Sequence, residues 1–131
     1  MYLQNIIKYL LELFTYKGRI GRWRLALNCL GSFIGMYLIF YIILMALVVI
    51  WREASVPMAK NENFMLFIEL MHIIWAWAVI FSLIKRAHDL GYPGPALLLL
   101  AIPFLGIVVL LIILFKKGTT GPNQYGEDPL K

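Results

Sequence analysis

The residues of this chain that could do chemistry gather in Lys85-Arg86-Ala87-His88-Asp89, where two cations, an imidazole and a carboxylate share one short stretch. A histidine beside an aspartate can begin a hydrolytic metal centre, but such a centre needs three or four protein ligands. The only other histidine is His72, about 24 Å away along a continuous helix, so the pair cannot share an ion unless that helix breaks. Cys29 is the single cysteine and has no partner for a disulfide. Neither a nucleophile elbow nor a phosphate-cradling glycine loop is present. The sequence therefore predicts no catalytic residue, no metal, no cofactor and no enzyme.

Charge pairing is the chemistry that remains. Lys85 and Asp89 are four residues apart and Arg86 and Asp89 three apart, so on a helix the acid can hold either cation. A second cationic cluster, Lys17-Gly18-Arg19-Ile20-Gly21-Arg22-Trp23-Arg24, lies upstream. Arg19, Arg22, Arg86, His88 and Asp89 are expected to meet on one cytoplasmic face, with Asp89 pairing an arginine, where they would meet a partner or lipid headgroups. Glu69 and His72, three residues apart, form a candidate intramembrane site for a proton or cation. The competing reading has Glu69 reaching headgroups and His72 hydrogen-bonding neutrally to a neighbour.

The elements that must position these groups are apolar. The 131 residues are 62% hydrophobic and 15% charged, far from the balance of a soluble domain, and the apolar residues fall into three long blocks. One all-α integral membrane domain over residues 1–131 is expected, with three transmembrane helices at 25–50, 64–84 and 96–115. Residues 1–16 have apolar positions at helical spacing and read as an amphipathic interfacial helix, on lipid or on the chain's own spans. Residues 51–63, with Arg52, Glu53, Pro57 and Lys60, read as a loop, and 116–131 as an irregular polar tail. Asn28, Gly31 and Gly35 give the first span a close-packing face for a helix of this chain, a second copy or another protein. Gly91 suits a left-handed cap, Pro93-Gly94-Pro95 stops one helix and starts another, and Pro103 with Gly106 behind it kinks the third span.

The net charge is +5, with cations beside the ends of apolar runs, which points to membrane orientation and anionic headgroups and not to nucleic acid. With the N-terminus cytoplasmic and the first span a retained signal anchor, three spans leave Lys8, Lys17, Arg19, Arg22, Arg24, Lys85 and Arg86 inside. Arg52, Lys60, Lys116, Lys117 and Lys131 are then outside. Lys116-Lys117 sits poorly there. A hairpin turning back at Pro103 would bring it inside, but residues 96–102 at α-helical rise reach only about 10 Å into the bilayer.

Gly18-Arg19-Ile20-Gly21-Arg22 before the first span, Arg86-Ala87-His88-Asp89-Leu90-Gly91 before the last, Ile102 to Gly106, and Gly121-Pro122-Asn123-Gln124-Tyr125-Gly126-Glu127-Asp128-Pro129 occur in that order. In that combination the chain resembles, from Phe14 to Pro129, the bacterial domain of unknown function 805 family, the YhaH-type small inner-membrane proteins. It departs from the family pattern at Leu25 and Ala26, where an aromatic-Trp pair is usual, and at Pro93-Gly94-Pro95, where Ser-Gly-Trp is usual. The resemblance implies a bacterial inner-membrane location and a helical fold, and carries no established activity. The expected function is that of an accessory or assembly subunit of a larger membrane complex, in contact with lipid and with another membrane protein or copies of itself. The alternative is an oligomeric channel or transporter for a proton or small cation.

Overall fold

The computed structural model describes residues 2–50 and 62–130. Most of the expected 51–63 loop, with Arg52, Glu53, Pro57 and Lys60, lies outside the described residues, as does Lys131 of the tail. The fold is all-α. Helix α1 is Tyr2–Leu13, α2 is Arg22–Ile50 and α3 is Glu62–Asp89; a 3₁₀ helix, Gly94–Ala101, then leads to α4, Leu105–Phe115.

Helices α2 and α3 are the two long apolar helices. Their 29 and 28 residues span about 42–43 Å each, more than a hydrocarbon core of about 30 Å. They pack antiparallel through side-chain pairs that descend in step: Asn28 on Ser82, Phe33 on Trp75 with ring centroids 5.8 Å apart, and Phe40 on Phe64 at 6.1 Å. Away from that seam, Leu30, Ile34, Leu38 and Ile42 on α2 and Leu66, Leu70, Ile73 and Trp77 on α3 are exposed. Water would not tolerate two such stripes, so the fold is membrane-associated.

The expected single helix over 96–115 is two helices. The chain descends as the 3₁₀ helix, turns at Ile102-Pro103-Phe104, and returns as α4 beside the limb it came from. Pro103 therefore marks a reversal and not a kink. Two residues make the reversal possible. Phe104 takes φ 64° at the tip, and Gly106 passes so close to the descending limb that a Cβ there would stand 2.3 Å from the Leu100 carbonyl oxygen. The hairpin's mouth is closed by Thr119 N–H donating to the Asp89 carbonyl at 2.8 Å. The objection from reach is removed by geometry: eight residues at the 3₁₀ rise of about 2 Å extend about 16 Å. The eleven residues of α4 return by about the same distance.

Helix α3 ends in a Schellman motif, with Gly91 N–H on the His88 carbonyl at 3.0 Å and Tyr92 N–H on the Ala87 carbonyl at 2.9 Å. Gly91 takes φ 82°, the left-handed cap its type predicts. The core is small. Ile20, Leu25, Leu90 and Ile113 cluster where the α2 start, the α3 end and α4 converge, next to a larger buried polar group.

Candidate functional site

Asp89 is the centre of that polar group. Its Oδ1 accepts from Arg19 Nε at 3.2 Å and Nη2 at 3.0 Å, and its Oδ2 accepts from Arg86 Nη1. The side chains of Arg19 and Asp89 are 1% and 4% exposed, so water screens the pairing very little. Two buried cations against one anion leave a surplus positive charge, which backbone carbonyls solvate without cancelling. Arg19 donates to the carbonyls of Thr119 at 2.6 Å, Gly121 at 2.7 Å and Gly126 at 3.2 Å. With its two bonds to Asp89, these use the five N–H donors a guanidinium has.

Arg86 donates to the carbonyls of Ile113 at 3.0 Å and of Lys116, and Arg22 to that of Phe115 at 3.1 Å. Those carbonyls are the free C-terminal groups of α4, which carry its negative dipole end, so two arginines cap the returning limb of the hairpin. Lys85, adjacent in sequence but turned about 100° around α3, goes to the Glu12 carbonyl at the end of α1. Neighbouring residues of α3 thus fasten two different helices by their C-termini. Glu12 also pairs with Arg24 at 2.8 Å, in an exposed contact.

The tail has no helix or strand but is tied down along its length. Asn123 Nδ2 donates to the His88 carbonyl at 2.9 Å, Gly121 N–H to Asp128 Oδ2 at 2.9 Å, and Asn123 bridges Gly126. Tyr125 lies flat on the His88 ring, centroids 4.0 Å apart and planes 2° apart. Gly118 abuts Asp89 so closely that a Cβ there would stand 2.1 Å from Oδ2.

Of the residues expected to meet, Arg19, Arg86 and Asp89 are in direct contact. Arg22 is one step away on the α4 end, and His88 faces outward from the cluster with Nδ1 3.2 Å from the Gly18 carbonyl. Asn28 accepts from Tyr9 at 3.0 Å and donates to Ser82 at 3.2 Å, joining α1, α2 and α3. Gly31 and Gly35 do not share that role: among the described residues nothing stands within 4 Å of a Cβ placed on either, so the described helices pack elsewhere. Glu69 and His72 are exposed and remote from the cluster. His72 Nδ1 is 2.8 Å from the Ile68 carbonyl one turn back, and among the described residues no bond joins it to Glu69.

Sequence reasoning missed Lys85 as the α1 fastener and missed the docking of Gly118, Thr119 and Asn123. The tail's turn chemistry was visible, but what it turns onto was not. Among the described residues no group of three or more His, Cys, Asp or Glu side chains could hold a metal.

A family model described as a protein of unknown function, DUF805, matches residues 13–127, a span that holds every member of the cluster. The chain is similar to the inner membrane protein YhaI of Escherichia coli (strain K12), 34% identical over 64 residues, covering 48% of this chain and 54% of YhaI. It is also similar to the inner membrane protein YhaH of that strain, 37% identical over 60 residues, 46% of each chain. The chain spans about half the length of the curated relatives it matches. No solved structure matches it.

Proposed function

The chain belongs to the DUF805 family of proteins of unknown function, and from that premise we infer that it is a non-catalytic inner-membrane protein serving as an accessory or assembly subunit of a larger membrane complex. The inner-membrane location rests on its similarity to the inner membrane proteins YhaI and YhaH. The observation that carries the subunit role is that the charged motif is spent on the chain itself. Arg19 has every donor occupied internally, and Arg86 and Asp89 are buried with it. The cluster is a fastener, and the apolar exterior of α2 and α3 offers a docking surface, including the open Gly31 and Gly35 positions where another protein's helix can approach closely. The channel reading lacks such support, since Glu69 and His72 would need residues from other copies to line a path.

The topology that goes with this reading has two spans, α2 and α3, and a re-entrant hairpin of the 3₁₀ helix and α4 in place of a third span. Both chain ends then share the cytoplasmic side with the arginine cluster, α1 lying along the interface. Moving Lys116, Lys117 and Lys131 inside changes the count of Lys and Arg from seven against five to ten against two, a far stronger positive-inside bias. Contact of the cationic face with anionic headgroups follows from the same arrangement.

Purification from native membranes in mild detergent tests the subunit role. A stoichiometric foreign membrane protein is expected to accompany the chain. A lone homo-oligomer that passes cations when reconstituted, and loses that flux in Glu69→Gln, would replace this reading with the channel.

A further inference from the structure

Beside the cluster, between α3, the 3₁₀ helix and the tail, runs an open groove of about 980 Å³. That is the size of a pocket for a substantial ligand. Its polarity is graded. At the water end stand Lys17 and His88, and among the described residues no carboxylate lines the walls. Toward the membrane interior the walls are Ile84, Ile80 and Leu98. Ile84 and Ile80 lie about 6 and 12 Å below His88 along α3, and Leu98 lies about 8 Å along the 3₁₀ helix from Gly94.

His88 is only 8% exposed, and its ring is held in place from two directions. Tyr125 stacks on its face, and Nδ1 bonds the Gly18 carbonyl. A carbonyl can only accept, so Nδ1 carries a proton toward Gly18, and Nε2 is the ring nitrogen left to meet a ligand. Nε2 faces Gly94, 4.0 Å from where a Cβ on that glycine would stand, and has no partner among the described residues. Lys17 at the rim is exposed and likewise has none there. The cluster behind them adds its surplus positive charge.

We propose that this groove binds one anionic glycerophospholipid whose headgroup carries a hydroxyl. Its phosphate sits at the Lys17 ammonium, its hydroxyl hydrogen-bonds to His88 Nε2, and one acyl chain lies along Ile84, Ile80 and Leu98. Charge complementarity selects an anion, the unpartnered nitrogen selects a hydroxyl, and the apolar depth matches the half-bilayer reach of the hairpin. The proposal does not depend on the accessory role.

The test is native mass spectrometry of the full chain from mixed micelles holding phosphatidylglycerol and phosphatidylcholine at equal concentration. One phosphatidylglycerol is expected to be retained with a preference of roughly fivefold or more, as one screened charged contact plus one hydrogen bond provides. Lys17→Gln and His88→Asn, the latter keeping a donor toward Gly18 but lacking Nε2, should each remove most of that preference. Leu98→Trp, at a side chain already 75% exposed, should block the lipid without disturbing the cluster. Lys117→Gln, equal in charge to Lys17→Gln but off the groove, should retain lipid as the unaltered chain does. Equal retention of the two lipids overturns the proposal. So does full retention in Leu98→Trp, or displacement of the lipid by glycerol phosphate at matching concentration, which would leave a phosphate site with no acyl groove.

Discussion

Replacing Asp89 by asparagine removes one charge and almost no volume, and it strikes at the group on which Arg19 and Arg86 converge. The substituted amide could still offer one oxygen to Arg19, but its nitrogen would then face the Arg86 N–H that Oδ2 now accepts. Both guanidinium groups would be left buried without an anion. The side chains involved are 1% and 4% exposed, so no discount for solvent screening applies, and breaking a buried pair in this way costs about 3–5 kcal/mol. Against a total stability of about 5–15 kcal/mol, that is a large share. In a chain of this size it should lower the midpoint of thermal unfolding in mild detergent by roughly 10 °C or more. Tail and hairpin should loosen together, because Arg19 holds the carbonyls of Thr119, Gly121 and Gly126 while Arg86 holds those of Ile113 and Lys116. Hydrogen exchange in 105–126 should therefore rise as one unit. Lys117→Gln, at an exposed position, is the control. A midpoint within about 2 °C of the parent chain, or faster exchange in the tail alone, would refute the idea that one carboxylate organises both.

Gly118→Ala should resemble Asp89→Asn, since its Cβ would stand 2.1 Å from the carboxylate and must push it off its arginines; a thermal melt checks it. Gly106→Ala should cost about 1–3 kcal/mol by forcing the hairpin limbs apart at the Leu100 carbonyl, again read as a lowered midpoint. Phe104→Gly should do the opposite, gaining about 1 kcal/mol, because the positive φ at that exposed tip strains any residue with a Cβ. A fluorescent or phosphatase fusion at the C-terminus should report the cytoplasm, and phosphatase activity outside would sink the re-entrant topology.

The elements were legible because hydrocarbon imposes a plain demand on composition. Runs around Leu38 and Ile74 are too apolar for water and long enough for lipid, and the predicted spans 25–50 and 64–84 fall within α2 and α3. Lys85 and Arg86, which follow the expected span, are carried on within α3 and buried by other elements. Helical spacing offered Asp89 two partners, Lys85 and Arg86, and could not rank them. The choice is made by what stands on each side of α3: the end of α1 on the Lys85 side, the end of α4 and Arg19 on the Asp89 side.

What the sequence alone determined is that the chain is helical and dissolved in lipid, with cations at the edges of its apolar runs, since those properties follow from transfer energies that each residue carries with it. Only the tertiary structure decided that the last apolar run doubles back, that its return brings α4's free carbonyls to Arg86 and Arg22, and that the tail closes over Arg19. Those outcomes depend on contacts between residues as far apart as Arg19 and Gly126. A buried charge takes whatever partner the packing brings within about 3 Å, and local spacing does not encode which one that will be.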